Sequence, residues 1–452
     1  MISDTIAAIA TGSVGSGAIS IIRISGMDAI GIANKVFTGN DLLVQASHTI
    51  HYGHIKCPKT STVIDEVLVM LMRAPRSFTT EDVIEINCHG GSFVTKLILE
   101  LILTQGARHA HAGEFSKRAF LNGRINLLEA EAIMDIVEAK SDNALKIAMD
   151  TLDGKVTNLI NELRKHLLNI IAHIEVNIDY PEYEVEELTK DILLSKSIAI
   201  RDLMSKLLHT AQTGQIIKKG IKTAIIGRPN VGKSSLLNQL MREEKAIVTH
   251  IAGTTRDAVE GFVNIGGLML NLIDTAGIQQ TSDIVETIGV EKSKKLIHEA
   301  ELILLVLNSN EALTDVDNAL LQETASKKRI ILLNKSDLKQ QINVCDIPQP
   351  FILTSMVDGA GISQLLRSIK LLFEFTEIKS DEVLISNARH IAKLKQSMNS
   401  IENAIAQIQV NMPIDMIEID LKTAWAFLGE IIGENAPELL IDELFTKFCL
   451  GK

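Results

Sequence analysis

"GRPNVGKSS", residues Gly227–Ser235, decides the fold of this chain. The stretch satisfies G-x-x-x-x-G-K-[ST] at Gly227, Gly232, Lys233 and Ser234, between the apolar "TAII" of residues 223–226 and the helical pattern "SLLNQLM" of residues 235–241. A buried strand that runs through a glycine loop into a helix predicts a phosphate cradle. The glycines bring backbone N–H groups against phosphate oxygens at a helix N-terminus, where the dipole favours anions. Asn230, Val231 and Ser235 complete the loop. Lys233 is expected to reach the β- and γ-phosphates, and Ser234 to ligate Mg²⁺.

Two later stretches extend this site. "LMLNLIDTAG", residues 268–277, reads as a buried strand ending in Asp274, Thr275, Ala276 and Gly277. The carboxylate can hold Mg²⁺ through water, and the Gly277 N–H can meet a γ-phosphate. "RIILLNKSD", residues 329–337, is another strand, ending in Asn334, Lys335, Ser336 and Asp337. A carboxylate at Asp337 accepts from guanine N1–H and the exocyclic amine together, whereas adenine would leave it unpaired, so GTP is expected rather than ATP. The bland alternative is that Asn334 and Asp337 cap a helix. Ile278 follows Gly277 where Ras-like proteins place a water-orienting Gln, so another group must orient water. Asp283, Glu286 and Glu291 are the nearby carboxylates, and each also reads as a solvated helix charge.

Outward from this core, strands and helices alternate from residue 216 to about 376, as in a doubly wound α/β domain with a parallel sheet. Residues 143–179 and 385–433 carry apolar residues at three- and four-residue spacing, the mark of long packed helices, and Pro181 closes the first run. The economical reading is a helical domain in two segments, 119–215 and 377–452, interrupted by the inserted domain. Residues 1–118 mix strand-like "AISIIRIS" and "DVIEIN" with a helix at "FVTKLILELIL", which predicts a small α+β domain.

Composition excludes several classes. Hydrophobic residues make up 46% of 452 and charged residues 22%, a globular balance. No run of apolar residues is long enough for a membrane span, and the N-terminal stretch lacks the pattern of a signal peptide, so a cytoplasmic protein is expected. Cys57, Cys88, Cys345 and Cys449 lie far apart without a Cys-x-x-Cys, which predicts reduced thiols. Cys88, His89, His109 and His111 share one domain without the tight spacing of a metal site. The formal charge of -11 disfavours non-specific nucleic-acid binding, so RNA contact is local or shared with a basic partner. The terminal "FCLGK" is no prenylation box, because Lys452 closes it and no basic run precedes Cys449. Packing of Cys449 with Leu444, Phe445 and Phe448 at helical spacing is its bland reading.

With "GRPNVGKSS", "IVTHIAGTTRD", "DTAGI" and "NKSD" in this order, inside a split helical domain and before "FCLGK", the chain resembles the MnmE (TrmE) family of tRNA-modifying GTPases. The likeness runs through "IIRISG", "SFTTEDVIEINCHGG", "GEFSKRAFLNGRINLLEAEA" and "IDYPE", essentially the whole length. It implies a homodimer that hydrolyses GTP when two G domains meet around K⁺. With a flavin-containing (FAD) MnmG-type partner, in a heterotetramer, such a protein adds an aminomethyl or carboxymethylaminomethyl group at C5 of the wobble uridine of certain tRNAs. The one-carbon unit comes from 5-formyl- or methylene-tetrahydrofolate bound by the N-terminal domain, which also dimerises.

By position, the resemblance gives K⁺ coordination to Asn230, Thr249, Ile251 and Thr254, and the second Mg²⁺ contact to Thr255. His250, Ala252 and Gly253 belong to the same nucleotide-binding loop, and Glu286 matches the water-orienting glutamate. Folate falls to Arg23, Glu85, Arg124 and Lys452, with Cys449 facing the one-carbon donor as nucleophile or acid. His111 and Ala112 stand where the family commonly shows Arg-Pro, which removes a cation and a rigid turn. The alternative from another class is a regulatory ribosome-assembly GTPase without one-carbon chemistry. A self-assembling helical GTPase on membranes ranks last, since the sequence has no basic amphipathic anchor.

Overall fold

The structure, a computed structural model, describes residues 4–11, 17–179, 190–243, 261–265, 267–273, 295–373, 383–448 and 451. Its chain divides into two compact units. The first comprises Met1–Met134, Leu152–Ile160 and Leu428–Lys452, and the second Asp135–Thr151 and Asn161–Phe427.

The first unit is built on a seven-stranded sheet of β1 (Ile6–Ile9), β2 (Ile19–Ser25), β3 (Phe37–Thr38), β4 (Thr49–Lys56), β5 (Val63–Met72), β6 (Val83–His89) and β7 (Arg108–His109), in the order β3-β4-β5-β6-β2-β1-β7. All pairs are antiparallel except β1 with β7. Side chains alternate across a strand. Ile22 and Ile24 of β2 therefore enter the core shared with α1 (Ala29–Val36) and α2 (Ser92–Thr104), while Arg23 points to the other face. There Ile6, Ala8, Ala110 and Phe115 form a second small core, with Phe115 supplied by α3 (Glu114–Leu121). The helix α4 (Leu127–Glu138) begins under a reciprocal cap in which Asn126 Oδ1 accepts from Glu129 N and Glu129 Oε2 accepts from Asn126 N.

The chain's end belongs to this unit. The C-terminal helix, Glu438–Thr446, lays Phe445 beside Phe120 and Phe448, and both Phe445 and Phe448 are buried. Gly113 makes the close approach possible, because it sits at φ +67° and a Cβ there would lie 2.3 Å from the Phe445 carbonyl oxygen.

In the second unit a six-stranded sheet contains β8 (Ile221–Ile226), β9 (Gly261–Ile265), β10 (Leu268–Leu272), β11 (Leu302–Asn308), β12 (Arg329–Asn334) and β13 (Phe351–Leu353), ordered β13-β12-β11-β8-β10-β9. It is parallel apart from the β9–β10 hairpin. β11 is buried along its whole length, as expected of a central strand covered on both faces, and separate apolar cores lie against the two faces. The apolar run that begins at Asn143 forms α5 (Asp142–Leu152) and α6 (Lys155–Asp179), which Gly154 at φ +80° separates. A 30-residue helix, α7 (Lys190–Lys219), packs along Ala388–Gln409, and Gly214 admits the backbone of Ile385. Among the described residues, no helix is long and apolar enough to cross a membrane.

Candidate functional site

Two sites emerge, one in each unit. In the second unit, β8 passes through Gly227–Gly232 into α8 (Lys233–Glu243), the strand–loop–helix that the motif requires. Packing dictates both glycines. A Cβ on Gly227 would approach the Val306 carbonyl oxygen to 2.3 Å, and one on Gly232, at φ +106°, would reach 2.1 Å from Asn334 Nδ2. Asn334, buried at the end of β12, donates from Nδ2 to the Val231 carbonyl oxygen at 2.7 Å. It thus ties the end of β12 to the phosphate loop rather than capping a helix. The following segment is held by Ser336 N donating to the Thr354 carbonyl and by Ser309 Oγ donating to that of Lys335, which leaves Asp337 exposed.

Lys233 Nζ donates to the carbonyl oxygens of Gly227 at 2.8 Å and Arg228 at 2.6 Å, and burial pulls its pKa below the ordinary lysine value. A partly desolvated ammonium held at the loop is poised for phosphate oxygens, whose negative charge would favour its charged form. Ser234 follows it in the helix and Ser235 is exposed. Asn230 sits at φ +63° on the exposed rim, a left-handed conformation that Asn tolerates. The loop's other anchor is absent from the sequence reading. Arg228 pairs with Asp317 at 2.8 Å and Glu311 at 2.9 Å, and Asp317 belongs to a capping box with Thr314. The Thr-x-x-Asp pattern was visible in the chain, but nothing local tied it to Arg228.

Thr249, His250, Ile251, Ala252, Gly253, Thr254 and Thr255 lie outside the described residues, as do Asp274, Thr275, Ala276, Gly277, Asp283, Glu286 and Glu291. So do Cys449 and Lys452.

The second site is a cleft of about 540 Å³ in the first unit. Arg23 and Arg124 supply its cations, and Phe78, Ile125, Ile133 and Leu152 supply apolar walls. Arg23 lies opposite Glu85 in the β2–β6 register and pairs with it at 2.7 Å, which orients the guanidinium. Arg23 Nη1 also donates to the Gly451 carbonyl at 3.1 Å, bringing the last described residue to this site. Its guanidinium lies over Phe115 at 5.6 Å, and that of Arg124 lies over Phe78 at 5.3 Å. Arg124 Nη1 donates to the Phe78 carbonyl as well.

Behind this wall lies an ionic network that sequence reading missed. Arg118, with a fully buried side chain, donates to Asp4, Glu81 and Glu114, and Glu81 in turn accepts from Ser25 Oγ. The Phe78 loop is thereby fastened to α3, which also carries Ser116 into the cleft lining. Ser116 Oγ is buried without a hydrogen-bond partner among the described residues. At the Arg-Pro departure, the turn is tied by His111 N donating to Glu114 Oε2 and Glu114 N donating to the His111 carbonyl. Cys88 is buried and donates to the Ser20 carbonyl, while exposed His89 faces Asp65. No cluster of three potential metal ligands occurs among the described residues.

Comparison with known proteins identifies the family. The family model described as "MnmE helical domain" matches residues 127–449, and "GTP-binding protein TrmE N-terminus" matches residues 5–124. A curated relative from Streptococcus pyogenes serotype M3, named tRNA modification GTPase MnmE, is 53% identical over 452 residues, covering 99% of this chain and 98% of that one. One from Lacticaseibacillus paracasei with the same name is 52% identical over 455 residues, with coverages of 99% and 98%. Among solved structures, the G domain of T. maritima FeoB is 26% identical with a TM-score of 0.25, covering 34% of this chain and 98% of that one.

Proposed function

Since this chain belongs to the MnmE family of tRNA modification GTPases, we propose that its GTP turnover serves one-carbon chemistry on tRNA. The product is an aminomethyl or carboxymethylaminomethyl group at C5 of the wobble uridine, made with an FAD-containing MnmG-type partner. The observation that carries this reading is the first-unit cleft, in which two arginines flank an aromatic wall. That arrangement suits a flat heterocycle bearing carboxylates.

A tetrahydrofolate derivative, when bound, supplies the carbon to be transferred. Arg124 would hold its carboxylates at the mouth of the cleft, and Phe78 and Ile125 would cover its ring. Arg23, oriented by Glu85, would hold the polar end. Its bond to Gly451 supports a place near the cleft for Cys449, whose thiol would act as nucleophile or acid, and for Lys452 as a further ligand contact. In the G domain, Lys233 and the loop N–H groups bind phosphates, and Ser234 and Thr255 would hold Mg²⁺. Asn230, Thr249, Ile251 and Thr254 would hold K⁺, a fixed charge against the developing phosphate charge. Glu286 would orient water, which Ile278 cannot do. We further infer a cytoplasmic homodimer with the domain division 1–118, 119–215, 216–376 and 377–452.

The test is titration calorimetry of the full chain with 5-formyltetrahydrofolate, with Arg23→Ala and Arg124→Ala in parallel, and GTP turnover in K⁺ against Na⁺. Saturable binding lost in both variants, and faster turnover in K⁺, are expected. GTP turnover without folate binding would refute the one-carbon reading and favour a purely regulatory GTPase.

A further inference from the structure

Most polar side chains of the cleft are already engaged. Arg23 bonds Glu85 and the Gly451 carbonyl, Glu129 accepts from Asn126, and Arg124 reaches the Phe78 carbonyl. Ser116 differs. It is 0% exposed, lines the cleft, and its hydroxyl is buried with no partner among the described residues. Buried hydroxyls are ordinarily satisfied, and a helical serine has the carbonyl one turn back within reach. An unmet hydroxyl at the wall of a cleft is a position where a ligand atom completes the bond.

We propose that Ser116 is a ligand-binding residue of the cleft, its hydroxyl bonding the amide-like edge of a bound pteridine-type heterocycle. A hydroxyl both donates and accepts, so it can meet either the N–H or the C=O of such an edge, whereas a guanidinium, which only donates, can meet only the C=O. Phe78, Ile133 and Leu152 line the same cleft with apolar surface, so the bond discriminates against a ligand lacking that polar atom. Arg124, exposed, is left to the carboxylates. This assignment rests on the one-carbon-carrier reading of the cleft.

The full-length protein and its Ser116→Ala and Ser116→Cys variants are titrated calorimetrically with 5-formyltetrahydrofolate, and thermal unfolding of each is recorded without ligand. Ser116→Ala should weaken binding about five- to tenfold, the effect of one hydrogen bond. Its unfolding temperature should stay level or rise, because the variant buries one fewer unmet hydroxyl. Ser116→Cys, nearly isosteric but a weak donor, should follow Ser116→Ala. Affinity within twofold of wild type in both variants overturns the assignment, as does an affinity loss matched by lowered thermal stability. Failure of the wild-type protein to bind is a separate result: it refutes the reading of the cleft, and the assignment with it.

Discussion

Replacing Gly232 by Ala tests whether the phosphate loop is held by Asn334 at the end of β12. The new Cβ would lie 2.1 Å from Asn334 Nδ2, on a backbone at φ +106°. The backbone strain costs about 1–3 kcal/mol. Displacing Asn334 leaves the buried Val231 carbonyl without its 2.7 Å bond, a further loss of about 1–3 kcal/mol. Both costs fall on the phosphate-binding conformation of the loop, so their sum, about 2–6 kcal/mol, corresponds to a fall in GTP affinity of roughly 30-fold or more. Asn334→Ala alone forfeits the second component and should weaken binding about 5- to 150-fold. In the double variant the bond is already gone, so the combined loss should equal that of Gly232→Ala alone. The assay is titration of a fluorescent GTP analogue against wild type, both single variants and the double. Losses that add within about 0.5 kcal/mol would refute the brace, since independent sites behave that way.

Two further outcomes follow from the first unit. Gly113→Ala puts a Cβ 2.3 Å from the Phe445 carbonyl at φ +67°; it should destabilise by about 2 kcal/mol or more and lower the calorimetric unfolding temperature. For Glu114, burial raises the pKa, but bonds from Arg108, the His111 N–H and Arg118, together with the charge of Arg108, outweigh it, leaving the carboxyl below its ordinary 4.5. Its stabilisation is therefore complete above pH 4.5 and is lost as pH falls through the lowered folded value. Melting temperatures of wild type and Glu114→Gln should differ most near neutrality and converge in acid, and a pH-independent difference would count against the network.

The phosphate loop, the alternation of strand and helix and the preference for guanine were legible in the chain, because contiguous residues create that chemistry. A loop that cradles phosphate uses its own backbone, and a central strand such as Leu302–Asn308 declares itself by unbroken apolarity. The helical run from Asn143 was legible too, although its break at Gly154 depends on one left-handed residue.

Only the tertiary structure decided which side chains meet. Asn334 reaches Val231 across 103 positions, and Arg23 reaches Gly451 across 428. Phe78 and Ser116 carry no motif of their own, and nothing local in "GEFSKRAF" marks Arg118 for burial among Asp4, Glu81 and Glu114. Hydrogen-bond satisfaction and burial belong to the packed state. A serine hydroxyl becomes conspicuous only when folding has removed its water and provided nothing in return.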